Sequence, residues 1–277
     1  MEPLIRNISD TALWAAMFRA RENDRADALF RDPMARRLAG ERGERIANNV
    51  EYATENEWAW IMRTWLYDRI IRQQVERGAS LVINLAAGLD ARPYRMDLPP
   101  SLQWVEVDLP DLLDYKQAVL ADEKPACGLE RVALDLSDLA ARRDFLGKLA
   151  ERGRQALVIT EGLLIYLTNE QVGSLARDLS ATPGVNSWVL DISSPALRDF
   201  LKDRMGKFTE GAGAPLLFAP EEGPQFFAQY GWNPLESNSI LQAAFETSRV
   251  PKELLQAPPP RPPGGGEFWS GVCLLGR

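Results

Sequence analysis

The sequence predicts an α/β protein in which helices cover both faces of a mainly parallel sheet. From residue 80 onward, short apolar strand patterns alternate with helical patterns, and this alternation is typical of parallel sheets. The residues before 79 carry helical patterns only, and a chain of 277 residues is long enough for one large domain. We therefore expect a single domain with four successive parts: a helical N-terminal cap (1–78), a ligand-binding core (79–192), a lid (193–224) and the C-terminal part of the sheet (225–277).

Three helices are predicted in the N-terminal cap. The stretch SDTALWAAMFRARE opens with polar capping residues and then repeats apolar residues at helical spacing. In RDPMARRLAG, Pro33 suits the start of a second helix and Gly40 suits its end. The segment 55–77 keeps helical periodicity, and Gly78 ends it.

Strands and helices then follow one another along the rest of the chain. The predicted strands are 81–86, 103–107, 130–134, 156–160, 186–191, 233–237 and 268–275. The predicted helices are 110–121, 138–151, 169–181, 195–207, 223–230 and 239–246. Two segments break the pattern: 206–224 is rich in Gly and Pro and is expected to form a loop over the site, while the low-complexity segment 257–266 should link the last two strands.

The stretch LVINLAAGLDARPYR, residues 81–95, carries the strongest functional signal. Asp108 at the end of WVEVDLP lies 20 residues beyond Gly88, the spacing at which a Rossmann-like unit places a carboxylate on ribose hydroxyls. The turn holds one glycine and carries Asp90 and Arg92, where a pyrophosphate site would offer bare amides. A carboxylate there repels a dinucleotide but suits a sulfonium and an ammonium, so we predict S-adenosylmethionine as the ligand rather than NAD.

Composition limits the other possibilities. The net charge of −7 with interspersed acids and bases does not favour a nucleic-acid partner. Cys127 and Cys273 are too few and too far apart for a metal cluster or a disulfide framework, and we expect no metal. No secretory signal and no apolar run of roughly 20 residues is present. These observations predict a cytoplasmic protein that does not bind a membrane; they do not indicate an oligomeric state.

The chain contains no histidine. Histidine is the commonest general base and a common zinc ligand, so serine–histidine hydrolysis and histidine-ligated zinc catalysis are excluded in their usual forms. The reaction either needs no base or uses Asp, Glu, Lys or Tyr. Methyl transfer to a carboxylate fits, because a carboxylate of pKa about 4 is already ionised at neutral pH.

The candidate nucleoside contacts follow the first three strands. Gly88 would allow close backbone approach, although it could also form an ordinary turn. Asp108 would accept hydrogen bonds from both ribose hydroxyls, the alternative being a cap for a helix that starts at Pro110. In the pair Asp135–Leu136, the carboxylate could accept from the adenine amino group and the backbone could meet the ring edge; a helix cap is the alternative.

The fourth strand ends in VITEGLLIYL and supplies candidates for the reactive end of the site. Glu161 could accept from the donor ammonium or compensate the sulfonium charge, unless it forms a simple salt bridge at the strand end. Tyr166 could touch the sulfonium through its ring or line the acceptor pocket, or it could serve packing alone. No catalytic base is required for an acid acceptor; for a phenol or alcohol, Glu161 and Tyr166 are the first candidates.

Basic and aromatic residues complete the set. Arg63 sits among aromatic residues in the third predicted helix, which favours a bidentate contact with a carboxylate. The further candidates for such contacts are Arg19, Arg92 and Arg95. The apolar residues Trp14, Met17 and Phe18 could form an acceptor wall, the alternative being packing of the first helix.

Together these stretches resemble the leucine carboxyl methyltransferase family of class I S-adenosylmethionine-dependent methyltransferases. The resemblance covers most of the chain and rests above all on SDTALWAAMFRARE, FRDPMARRLAG, NLAAGLDARPYR, WVEVDLPDLLDYK, Asp135–Leu136 and TEGLLIYL. It implies a Rossmann-like class I methyltransferase sheet with helices on both faces, a helical N-terminal extension and a lid insertion. It also implies donor contacts at Arg63, Gly88, Asp108, Asp135, Leu136 and Glu161.

The chain departs from the family pattern in two places. Ala86 stands where the turn usually has its first glycine, which is acceptable if Ala86 keeps a negative φ. A donor-binding lysine of the protein-methylating members has no clear equivalent between Thr11 and Arg19, and Arg19 is its candidate substitute.

The resemblance includes bacterial and fungal members that methylate small molecules, among them polyketide carboxyl O-methyltransferases. We therefore expect direct in-line transfer of a methyl group to the carboxylate of a small acidic metabolite. The alternatives are a phenol or hydroxyl O-methyltransferase of secondary metabolism, a nucleotide-dependent dehydrogenase and a non-catalytic S-adenosylmethionine-binding module.

Overall fold

A computed structural model of the protein describes residues 9–210, 213–250 and 268–277. Within these ranges, seven strands form one sheet in the order β3-β2-β1-β4-β5-β7-β6. The strands are β1 (Leu81–Leu85), β2 (Gln103–Asp108), β3 (Gly128–Ala133), β4 (Ala156–Thr160), β5 (Val185–Ser193), β6 (Asn233–Ser239) and β7 (Ser270–Gly276). The predicted α/β class is confirmed.

Strands β1 to β5 run parallel, whereas β7 is antiparallel to both β5 and β6. The order differs from the doubly wound order 3-2-1-4-5-6 because β7 is inserted between β5 and β6. Strand order reverses between β1 and β4, and in such sheets a crevice opens at the carboxyl ends of the two strands.

Ten α-helices and two 3₁₀ helices surround this sheet in the described ranges. The α-helices are α1 (Ser9–Asn23), α2 (Ala35–Asn49), α3 (Glu51–Glu55), α4 (Glu57–Glu76), α5 (Arg92–Arg95), α6 (Pro110–Val119), α7 (Leu139–Ala150), α8 (Asn169–Ala181), α9 (Pro195–Glu210) and α10 (Ile240–Glu246). The 3₁₀ helices are Leu164–Tyr166 and Gly223–Tyr230. No helix of the described residues combines the length and apolar character that crossing a membrane requires.

The central strands are apolar at nearly every position because both faces of the sheet are covered. All residues of β1 and of β4 are buried. Successive side chains of β1 enter different cores: Val82 packs with the N-terminal helices on one face, and Ile83 packs with α7 and α8 on the other. This double covering fixes the strand positions and so fixes where each strand ends at the crevice.

The structure agrees with one predicted helix boundary and differs from another. Gly40, with φ 57°, ends a first helical piece as predicted, but a second piece follows at once, so that α2 runs to Asn49 across a kink. The Tyr115 hydroxyl of α6 donates to the Leu38 carbonyl next to the kink, which satisfies an acceptor that the interrupted helix leaves open. Helix α9 also extends to Glu210, so the predicted loop 206–224 begins as helix. The predicted linker 257–266 lies outside the described residues.

Candidate active site

A cavity of about 390 Å³ opens at the carboxyl ends of β1 to β4, beneath α1, α4 and α9. Its volume lies within the usual range of small-molecule sites. The cavity brings together ten of the thirteen candidate contact residues: Trp14, Arg19, Arg63, Gly88, Arg92, Asp108, Asp135, Leu136, Glu161 and Tyr166. Met17, Phe18 and Arg95 do not line it.

The turn after β1 approaches the cavity through two residues with positive φ. Gly88 has φ 51° and Ala86 has φ 52°. The expectation of a negative φ at Ala86 is therefore wrong. A left-handed conformation costs an L-residue roughly 1–2 kcal/mol. Ala86 adopts this conformation, and the following amide, that of Ala87, donates a hydrogen bond to the Val107 carbonyl of β2. The turn is thus held to the neighbouring strand.

Asp108 is bound to that turn. One carboxylate oxygen accepts from the Gly88 amide at 2.6 Å, and the other accepts from the Leu109 amide at 2.7 Å. The side chain does not cap α6, whose first turn receives no side-chain hydrogen bond from its N-cap residue, Leu109. Burial raises the pKa of Asp108 above its ordinary value, and the two amides only partly offset this. Asp108 therefore presents a largely buried carboxylate to the cavity, and no arginine or lysine of the described residues is hydrogen-bonded to it.

Asp135 lies beside the cavity at the end of β3. Its carboxylate accepts from the Ser137 amide at 2.8 Å, which lowers its pKa. The cap of α7 is Asp138, which accepts from the Ala140 and Ala141 amides. The alternative that Asp135 is the helix cap therefore does not hold, and Asp135 and Leu136 both line the cavity.

Glu161 lies between two arginines. Its Oε1 is 3.2 Å from Arg63 Nε, and its Oε2 is 2.8 Å from Arg92 Nη1. Glu161 therefore forms salt bridges and also lines the cavity. Arg92 also binds Asp68 and Asp90, at 2.6 and 2.9 Å.

Asp90 does not supply the free negative charge that the sequence predicted for the turn. The Oδ2 atom of Asp90 accepts hydrogen bonds from Arg92 Nη1 and from the side-chain amide of Asn84. The positive charge of Arg92 therefore compensates the charge of Asp90. Burial would raise the pKa of Asp90, but Arg92 and other cations lower it to about 2. The carboxylate that faces the cavity with backbone amides as its hydrogen-bond donors is Asp108 instead.

The predicted basic contacts divide into two groups. Arg95 lies outside the cavity, where it binds Asp68, so its prediction as a ligand contact is wrong. Arg19 lines the cavity while its guanidinium binds Asp32 and the Leu89 carbonyl. Arg63 lines it between Glu161 and Asp191.

Part of the cavity wall is apolar. Trp14 and Trp60 from the N-terminal helices, Tyr166 from the 3₁₀ helix and Met205 from α9 line it. Phe18 is fully buried and packs against Trp14 and Trp60, so its prediction as part of the acceptor wall is wrong. Burial raises the pKa of Tyr166, whose side chain is hydrogen-bonded to Thr11.

Several residues of the site were missed in the sequence. Thr11, Trp60, Met205 and Leu216 line the cavity but carry no motif of their own. Asp191 Oδ2 lies 3.5 Å from Arg63 Nη1. A signal for it existed, because Asp191 follows the apolar run of β5 just as Glu161 follows that of β4.

The donor set fits S-adenosylmethionine better than a dinucleotide. The charged side chains that line the cavity in the described residues are three arginines and four carboxylates, a net formal charge of −1. Each arginine is already paired with a carboxylate, so the cavity has no excess positive charge to balance a pyrophosphate. In the same described residues, no group of three His, Cys, Asp or Glu side chains could hold a metal ion. The fold and the site define a class I S-adenosylmethionine-dependent methyltransferase.

Comparison with known proteins gives the family. The sequence profile of the leucine carboxyl methyltransferase family matches residues 12–180, more than half of the chain. A "putative S-adenosyl-L-methionine-dependent methyltransferase" of Streptomyces avermitilis is 31% identical, with 92% of each chain covered. A protein of Rhodococcus jostii with the same description is 30% identical, with 90% of each chain covered. The chain belongs to the leucine carboxyl methyltransferase family and uses S-adenosylmethionine, which excludes the dehydrogenase alternative.

Solved structures agree on the fold. A crystal structure of a methyltransferase, "putative" by description, from Thermobifida fusca aligns with a TM-score of 0.58 at 18% identity, covering 98% of this chain and 96% of that one. A DUF574 family protein from Streptomyces avermitilis aligns with a TM-score of 0.56 at 15% identity, covering 93% and 95%. These similarities concern the fold alone.

Proposed function

We propose that the protein transfers a methyl group from S-adenosylmethionine to a carboxylate oxygen of a small, largely apolar acid, such as a polyketide-like metabolite. The observation that carries this proposal is the state of the two candidate bases. Both oxygens of Glu161 are engaged by arginines, and burial raises the pKa of Tyr166, which keeps its phenol protonated at neutral pH. A phenol or alcohol acceptor would need a base, whereas a carboxylate is already ionised.

Bound S-adenosylmethionine supplies an electrophilic methyl group on a sulfonium. The residues of this chain would hold and orient the reactants. Asp108 and the Asp135–Leu136 pair would bind the nucleoside, while Arg63 and Glu161 would bind the amino-acid end. The apolar wall of Trp14, Tyr166 and their neighbours would exclude water from the acceptor. Orientation of this kind can supply roughly 7–11 kcal/mol of a reaction barrier.

The experiment is a turnover assay with matched acceptors. Aromatic and aliphatic acids, and the corresponding phenols and alcohols, are incubated with S-adenosylmethionine, and methylated products are detected by mass spectrometry. We expect methyl esters and no methyl ethers. Methylation of phenols with no methylation of the matched acids would overturn the proposal.

Arg63→Ala is expected to weaken binding of S-adenosylhomocysteine, the reaction product, by roughly 10- to 100-fold, because a charge-assisted hydrogen bond to its carboxylate is lost. Isothermal titration calorimetry measures the affinity. Arg72→Ala, an exposed position on the same helix, is the matched control. Wild-type affinity in the Arg63 variant would make that arginine a packing residue.

Tyr166→Phe separates the two kinds of acceptor. If Tyr166 only lines the site, the variant should retain carboxyl methylation within a few-fold of the wild-type rate. A general base would contribute roughly 10²–10⁴-fold. The measurement is the initial rate with the best acid from the acceptor assay, and a loss of two orders of magnitude would contradict the base-free reaction.

A further inference from the structure

Asp191 lies near the carboxyl end of β5, and its side chain is largely buried. Its Oδ1 accepts a hydrogen bond from the Gly162 amide at 2.7 Å and lies 2.9 Å from the Tyr67 hydroxyl. Its Oδ2 is 3.5 Å from Nη1 of Arg63. One carboxylate therefore contacts α4, the turn after β4 and the arginine that lines the donor end of the cavity.

These contacts restrict where the Arg63 guanidinium can lie. Gly162 has φ 66°, and a Cβ at this position would come within 3.2 Å of Arg63 Nη1. The guanidinium thus rests on the bare backbone that follows Glu161, with Glu161 on one side and Asp191 on another. The Gly162 amide that Asp191 binds belongs to this same resting surface.

Burial makes the charge of Asp191 costly, although the same charge raises the pKa of Arg63 and so stabilises the guanidinium. Burial, its largest electrostatic effect, raises the pKa of Asp191, and the Arg63 charge and the Gly162 amide only partly offset this. A folded state that raises the pKa of a carboxyl group is less stable with that group ionised. Charged groups kept at such a cost tend to cluster at functional sites.

We propose that Asp191 is a positioning residue for the amino-acid end of the donor: it holds Arg63 on the Gly162 backbone, where the guanidinium meets the donor carboxylate. The inference rests on the proposed function through the assignment of Arg63 as a donor contact. Asp191 itself contacts Arg63 and the turn, and it acts on the ligand through them.

The test compares two ligands that share an adenosine group. S-adenosylhomocysteine carries the amino acid, whereas 5′-methylthioadenosine lacks it. Asp191→Asn keeps an oxygen for Gly162 and Tyr67 but removes the charge beside Arg63. We expect this variant to bind S-adenosylhomocysteine about tenfold more weakly and methylthioadenosine with unchanged affinity. Asp199→Asn, on the exposed face of α9, is the matched control.

Two further measurements separate positioning from a structural role. The urea-unfolding midpoint of Asp191→Asn should stay close to that of the wild type, because asparagine keeps an acceptor for Gly162 and Tyr67, and Glu161 still faces Arg63. In the Arg63→Ala background, Asp191→Asn should cause no additional loss of S-adenosylhomocysteine affinity, since the two residues act as one unit.

The outcomes are distinguishable. Equal losses for both ligands, or a lowered unfolding midpoint together with weaker binding, would make Asp191 structural and overturn the inference. If Arg63→Ala weakens S-adenosylhomocysteine binding and Asp191→Asn does not, the inference fails while the Arg63 contact stands. If neither substitution changes the affinity, the Arg63 contact fails and the inference with it.

Discussion

Asp108→Ala should reduce the affinity for S-adenosylhomocysteine by about 100-fold or more. The carboxylate faces the cavity and accepts hydrogen bonds from the backbone amides of Gly88 and Leu109. Hydrogen bonds to a charged acceptor contribute about 1.5–3 kcal/mol each, and the ribose offers two hydroxyl donors. The substitution also releases the Gly88 amide, so the turn that approaches the ligand keeps the hydrogen bond from the Ala87 amide to β2 but loses the one from Gly88. Calorimetric titration measures the loss.

The control for this variant is Asp111→Ala. Asp111 lies three residues further along the chain, in the first turn of α6, where it is exposed. The substitution Asp111→Ala removes one negative charge from the same region at a residue that does not line the cavity. The affinity of this variant for S-adenosylhomocysteine should therefore match that of the wild type. Equal affinities in all three proteins would remove the ribose assignment of Asp108.

The fold could be predicted because its signals are local. Apolar runs such as those of β1 and β4 become strands because helices cover both of their faces, and their ends define the binding edge by topology alone. Glu161 could be located in the same way, since a carboxylate directly after a buried strand has to face the crevice. Residues that line the cavity were therefore predictable from strand ends and spacing.

The pairing of charges could not be predicted, because it depends on partners far apart in sequence. Arg92 and Arg95 looked available for a ligand, yet both bind Asp68, which lies more than twenty residues earlier on α4. Trp14 and Phe18 lie one helical turn apart and both pack against Trp60 from another helix, yet Trp14 lines the cavity and Phe18 does not.

Asp68 is the centre of the buried ion pairs beneath the site. Its oxygens lie 2.6 Å from Arg92 Nε and 2.6 and 2.7 Å from the Arg95 guanidinium nitrogens. All three side chains are at most 6% exposed. Arg92 in turn binds Glu161, so the network extends from the interior of the cap to the wall of the cavity.

Asp68→Ala should lower the free energy of unfolding by about 3–5 kcal/mol, because removing one partner of a buried ion pair leaves charge without compensation. Urea denaturation followed by circular dichroism measures it. Asp144→Ala is the matched control: its partner Lys148 is one helical turn away, both side chains are more than half exposed, and little change is expected. The Asp68 variant should also bind S-adenosylhomocysteine more weakly, since Arg92 then loses the contact that orients it toward Glu161.

The pH dependence of the unfolding free energy tests whether the lost charge of Asp68 causes the lower stability of Asp68→Ala. Burial would raise the pKa of Asp68, but Arg95 and Arg92 outweigh it and hold the pKa below the ordinary value of 3.8. Its contribution is therefore complete above that ordinary value and is lost as the pH falls through the lowered one. The stability difference between the wild type and Asp68→Ala should be constant near neutral pH and should shrink only below about pH 4. A difference that does not change with acidification would show that the loss comes from packing rather than from the ion pairs.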